Sequence, residues 1–189
     1  CLNDCDADTV FIEECITVDF LYGLCSDCLS AETCEGMLED DFCDDVVVHE
    51  VEINGMALIE ILFYRLSQSE KIEKIILATS ENNENDILAN LIARLGYDVF
   101  RGSEEDVLGR YYLAAKKYQP ESVVRITGDC PILDPALVDN VISLYEIEEA
   151  NYASNTNPPT YPNGLDIEVF SFETLKEAYK NAKDTRDRE

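Results

Sequence analysis

From Val46 onward the chain alternates between short β-branched or apolar runs and stretches with helical spacing, and that alternation leaves few folds open. Residues 46–53 are β-branched and stop at Asn54-Gly55, a turn signal, so a strand is expected there. Residues 56–67 bring Leu58, Ile61, Leu62, Tyr64 and Leu66 near helical spacing. Residues 74–79 form a short apolar run closed by polar residues, as in a strand buried on both faces. A helix is expected over 85–95, stopped by Gly96, and a strand over 97–100. Ser103 to Asp106 reads as a capping box that opens a helix to Tyr118, and 122–127 is the next strand. Asp134-Pro135 sets a cap before a proline at the first helical position and opens a helix to Glu148. Strands over 150–154 and 166–170 flank a Pro-rich loop, and Ser171 caps a last helix to Lys183. The fold class is α/β: a mostly parallel sheet with helices on both faces.

Ligands of such sheets bind beyond the carboxyl ends of the strands, which directs attention to 79–80, 101–102, 128–131 and the loop after Ser154. Asp129 follows an apolar strand and Gly128, whose missing side chain lets backbone approach a ligand closely. A carboxylate there suits Mg²⁺ held with substrate phosphates; a turn Asp bonding its own backbone is the alternative. Arg125 lies inside the same strand, where a charge must pair or point into a cleft. Asp106 and Arg110 stand one helical turn apart, as a cap with an i,i+4 pair or as site residues. Asp166 and Glu168 alternate along one strand and would share a face, binding a polyol or a cation, or meeting solvent.

The first 45 residues differ from the rest. Seven of the eight cysteines lie at or before Cys43, and no Lys or Arg precedes Arg65, while residues 1–64 hold 17 Asp and Glu. Cys25, Cys28, Cys34 and Cys43 loosely resemble a zinc series, but the second pair lacks tight spacing, so free thiols are favoured over metal or disulfides. His49, the single histidine, has no evident nucleophile partner, which leaves a Ser/His/Asp or Cys/His hydrolase unsupported. The net charge of −26 repels phosphate backbones and anionic lipid, excluding a general nucleic-acid or membrane binder. With no spanning run and no visible signal peptide, a cytoplasmic protein is expected.

Seven segments together resemble one family: 54–59, 75–80, 99–103, 106–112, Val124-Arg-Ile-Thr-Gly-Asp-Cys-Pro131, 152–155 and Pro162-Asn-Gly-Leu-Asp-Ile-Glu-Val-Phe170. They are similar to the cytidylyltransferase-type proteins of the spore coat polysaccharide biosynthesis protein F family, relatives of CMP-KDO synthetase and acylneuraminate cytidylyltransferase. The resemblance covers about 46–189. It implies a Rossmann-like three-layer α/β/α sandwich of the nucleotide-diphospho-sugar transferase fold, usually dimeric. It implies transfer of CMP from CTP to a sugar for surface or spore-coat polysaccharide biosynthesis, assisted by Mg²⁺. Asp129 would ligate that metal and, with Arg125, act in catalysis. Arg101, Asp106, Arg110, Thr127 and Gly128 would bind nucleotide and substrate, and Asn155, Asp166 and Glu168 would face the sugar. The family's basic triphosphate loop would fall near 36–48, where this chain has five Asp or Glu and no Lys, Arg or Pro. Asp187-Arg188-Glu189 resembles the start of a later family segment, so 46–189 reads as a domain truncated at its C-terminus, preceded by an acidic Cys-rich segment of foreign origin whose apolar runs could supply a first strand. A glycosyltransferase of the same fold and an inactive dimerisation or scaffold domain are the alternatives.

Overall fold

A computed structural model describes the backbone of residues 8–13 and residues 51–188 with their side chains. The described residues build one six-stranded sheet from β1 (Asp8–Glu13), β4 (Ile72–Ser80), β5 (Asp98–Gly102), β6 (Ser122–Thr127), β7 (Tyr152–Ser154) and β8 (Glu168–Ser171), in the spatial order β5-β4-β1-β6-β8-β7. Pairings β1·β4, β1·β6 and β4·β5 are parallel, while β6·β8 and β7·β8 are antiparallel. The sheet is therefore mixed: β8 runs against its neighbours and carries Glu168 back to the edge where the parallel strands end.

Among the described residues five helices accompany these strands: α1 (Leu58–Leu66), α2 (Asp86–Arg94), α3 (Val107–Tyr118), α4 (Pro135–Ile147) and α5 (Phe172–Asn181). Strand alternation divides the core. Ile75, Leu77, Val124 and Ile126 pack with Leu62 and Phe63 of α1, Leu88 and Ile92 of α2, and Val138 and Ile142 of α4. Ile76, Ala78 and Val123 pack instead with Tyr111 and Ala114 of α3 and Leu175 of α5. Residues of opposite parity point to opposite faces, so the two sets lie on either side of the sheet. Among the described residues no helix is long and apolar enough to cross a membrane.

The caps read from sequence at Asp134 and Ser171 are present: Asp134 accepts the Ala136 N–H at 2.9 Å and Ser171 the Thr174 N–H at 3.0 Å. Three expectations change. Where a strand over 46–53 was expected, the described part holds only β2 (Glu52–Ile53), paired antiparallel with β3 (Met56–Ala57) in a separate hairpin. Asn54 and Gly55 both take positive φ, 54° and 78°, the geometry of a two-residue type I′ turn, so the turn signal closes a hairpin rather than ending a long strand. At α3 the cap is Asp106 itself, accepting the Gly109 N–H at 2.8 Å; Ser103 Oγ accepts the Asp106 N–H and shapes the preceding loop. The strand expected over 166–170 begins at Glu168, which leaves Asp166 in the loop.

Candidate functional site

The parallel strands β4, β1 and β6 end on one edge, and the order of the sheet reverses about β1: the chain builds outward through β4 and β5, then returns to place β6 on the other side. A crevice outside the carboxyl ends at such a switch point is where doubly wound sheets bind ligands. Thr127 and Gly128 leave β6 at that point, and the Cys130 N–H closes a turn onto the Thr127 carbonyl at 3.2 Å, projecting Asp129 from the edge. The buried Cys130 thiol donates toward Asp129 Oδ1 at 3.7 Å, lies 3.4 Å from Thr127 Oγ1, and accepts the Asp166 backbone N–H. Burial pushes that thiol up to about 11, so it is protonated at neutral pH.

Asp166 therefore sits beside the Asp129 turn. Burial, together with the charges of Asp129 and Glu168, raises its carboxyl above the ordinary aspartate range. Asn155 is only 7% exposed, and both polar atoms of its side chain are engaged within the protein. Its Nδ2 donates to the Leu165 carbonyl at 2.7 Å and its Oδ1 accepts the Ile167 N–H at 2.9 Å.

Arg125 and Glu168 are cross-strand partners and form an ion pair. The Tyr152 hydroxyl donates to the other Glu168 oxygen at 2.6 Å; burial and that carboxylate raise the phenol's pKa. The Arg125 guanidinium lies 5.9 Å from the Tyr111 ring centre. These groups form the polar end of a cleft of about 320 Å³ whose remaining walls include Val107, Leu108, Phe170 and Leu175.

The other expected site residues hold loops at the same edge. Arg101 donates to the Ser80 and Asn82 carbonyls and pairs with Asp86 at 2.9 Å. Arg110, 4% exposed, donates to the Ser103 carbonyl at 2.6 Å. Asp106 takes a two-pronged ion pair from Arg188, at 3.0 and 2.6 Å. Burial alone would raise its carboxyl; the Arg188 guanidinium and the Gly109 N–H outweigh that and hold it below the usual range. The structure thus gathers Asp129, Asp166, Thr127 and Gly128 at one point and Arg125 with Glu168 beside it, and sets Arg101, Asp106 and Arg110 in the supporting loops. Sequence reasoning missed Tyr152 and Arg188. Both lie in segments that resemble the family, 152–155 and 187–189, but nothing there gave either a role; Arg188 pairs with Asp106 across 82 residues.

Among the described residues no three of His, Cys, Asp or Glu gather closely enough to hold a metal by themselves. The hard carboxylate oxygens of Asp129 suit instead a cation completed by phosphate oxygens and water. The acidic stretch 36–48 and the cysteines before Cys43 lie outside the described residues.

The chain is similar to an uncharacterized protein of Methanocaldococcus jannaschii, 40% identical over 139 residues, covering 74% of this chain and 56% of that protein. It is 32% identical over 133 residues to the spore coat polysaccharide biosynthesis protein SpsF of Bacillus subtilis, covering 65% of this chain and 55% of that one. It thus spans little more than half the length of these relatives. A cytidylyltransferase structure from Leptospira borgpetersenii superposes with a TM-score of 0.75 at 23% identity, covering 97% of this chain and 67% of that one. CMP:2-keto-3-deoxy-manno-octonic acid synthetase complexed with CTP superposes with a TM-score of 0.62 at 11% identity, covering 94% and 79%. The profile of the cytidylyltransferase family matches residues 51–189, and the chain belongs to that family.

Proposed function

We propose that the chain transfers CMP from CTP to a sugar, for surface or spore-coat polysaccharide biosynthesis in the cytoplasm, from a three-layer α/β/α sandwich. The observation that carries this reading is the placement of Asp129 and Asp166 at the carboxyl edge beside the switch point between β1 and β6. In the reaction a sugar hydroxyl oxygen bonds to the α-phosphorus of CTP, the bond from that phosphorus to the bridging oxygen breaks, pyrophosphate leaves, and the hydroxyl proton passes to solvent. Asp129 would hold Mg²⁺, which when bound would supply neutralisation of phosphate charge and Lewis-acid assistance. Asp166 accepts a hydrogen bond from the attacking hydroxyl, and Glu168, fixed by Arg125 and Tyr152, faces the sugar. Arg101 and Arg110 keep the walls of the nucleotide cleft in place by tying down the loops after β4 and β5.

Calorimetry with CTP and Mg²⁺ tests this: the chain binds the pair, and Asp129→Asn abolishes binding. No heat at millimolar CTP removes the chain from the active enzymes. Binding of nucleotide-sugars but not of CTP favours a glycosyltransferase. One observation favours an inactive domain that serves dimerisation: residues 36–48 present five acidic and no basic groups where the family carries its triphosphate loop.

A further inference from the structure

The loop between β7 and β8 spans residues 155–167 and includes Pro158, Pro159 and Pro162. One residue closes it. The Asn155 side chain grips the Leu165 carbonyl and the Ile167 N–H, the two backbone groups that bracket Asp166. Its own N–H donates to the Ile167 carbonyl at 3.3 Å, and its carbonyl accepts from the Thr160 N–H at 3.0 Å and the Thr160 hydroxyl at 3.2 Å. One Nδ2 hydrogen and one Oδ1 lone pair are used in this way, and at 7% exposed the residue leaves little of its amide for a ligand to reach. The amide orientation is fixed by its partners: turned over, it would set N–H against N–H and oxygen against oxygen. On the far side, the Asp166 N–H rests on the Cys130 sulfur, adjacent to Asp129.

We propose that Asn155 is a positioning residue for Asp166: by gripping the backbone on both sides of it, the amide fixes that carboxylate against the Asp129 turn and so sets how the attacking hydroxyl is held. The assignment rests on the functional reading above for what Asp166 does, and on the two Asn155 hydrogen bonds for how the backbone around Asp166 is held. It differs from a sugar-contacting role for Asn155, because the effect reaches the substrate only through Asp166.

The test is carboxylate ¹³C NMR on the whole chain labelled at aspartate, with the Asp166 signal assigned by its loss in Asp166→Asn. Asp129→Asn shifts the Asp166 resonance in the wild-type background. In an Asn155→Ser background the same substitution leaves that resonance in place, because the two carboxylates are no longer held together. Asn155→Asp keeps one half of the grip and loses the donor to Leu165; it serves as the second background if Asn155→Ser does not fold, with the same result expected. An equal shift in both backgrounds overturns the proposal, as does no shift in wild type. Calorimetry with CTP and Mg²⁺ on the wild-type chain separates the two ideas. Failure to bind overturns the functional reading, while the NMR comparison, which needs no turnover, still decides whether Asn155 positions Asp166.

Discussion

Asp106 and Asp166 are two aspartates displaced in opposite directions, and their effects on stability have opposite signs. Asp106 is held below the ordinary range by Arg188 and the Gly109 N–H. A group depressed in the folded state contributes stability above its unfolded pKa, and loses it as pH falls through the folded value. Asp106→Asn, which keeps a capping oxygen but not the charge, therefore lowers the melting temperature at neutral pH, and the gap to wild type closes in strong acid. Asp106→Ala also deletes the cap and costs about 1 kcal/mol more at neutral pH. Asp166 is raised by burial and by its acidic neighbours. Its charged form is disfavoured by folding, so stability rises as pH falls from the folded value toward the ordinary aspartate range. Thermal melts at pH 7 are expected to show Asp166→Asn equal to or more stable than wild type while pyrophosphate release from CTP is lost, the compromise of a site residue kept for chemistry.

At the level of elements, α3 shows how tightly a helix start can be specified. A Cβ added at Gly109 would stand 2.3 Å from Asp106 Oδ2, the oxygen that Arg188 also holds. Alanine is the better helix former by about 1 kcal/mol, so Gly109→Ala would stabilise an unconstrained helix. Here it must break the cap, and chemical denaturation is expected to show a net loss. In an Asp106→Ala background the clash is gone and the same substitution stabilises; a loss in both backgrounds would refute this account. The sheet and its helices were largely legible because their signals are local: apolar runs of strand length, proline after a cap, glycine after a helix. Ser103 and Asp106 were read as one capping box, yet only Asp106 caps, since choosing between two acceptors depends on Arg188 far along the chain. Asp166 was assigned to a strand on the strength of alternation with Glu168, and the loop closed by Asn155 overrides that alternation. Asn155 itself stood out only through resemblance, which is silent on which way its amide faces.

For the whole molecule, a net charge of −26 opposes compactness everywhere except where opposite charges meet, as at Arg125–Glu168 and Arg188–Asp106. Screening that repulsion is expected to raise the melting temperature between about 0.05 and 0.5 M salt, over which the Debye length falls severalfold. A melting temperature that drops with salt would mean that the specific pairs outweigh the general repulsion. The central place of β1 has a consequence of another kind. Asp8 pairs with Ile72 on one side and Ser122 on the other, so among the described residues the backbone ladder between the two halves of the sheet runs through residues 8–13. A ribosome adds about 5–20 residues per second, so the second edge of β1 waits roughly 5–20 s after its synthesis for β6 to emerge. During that interval one edge of the strand that will end at the centre of the sheet has no partner, and it gains one just before the site-bearing loop after β6 is made.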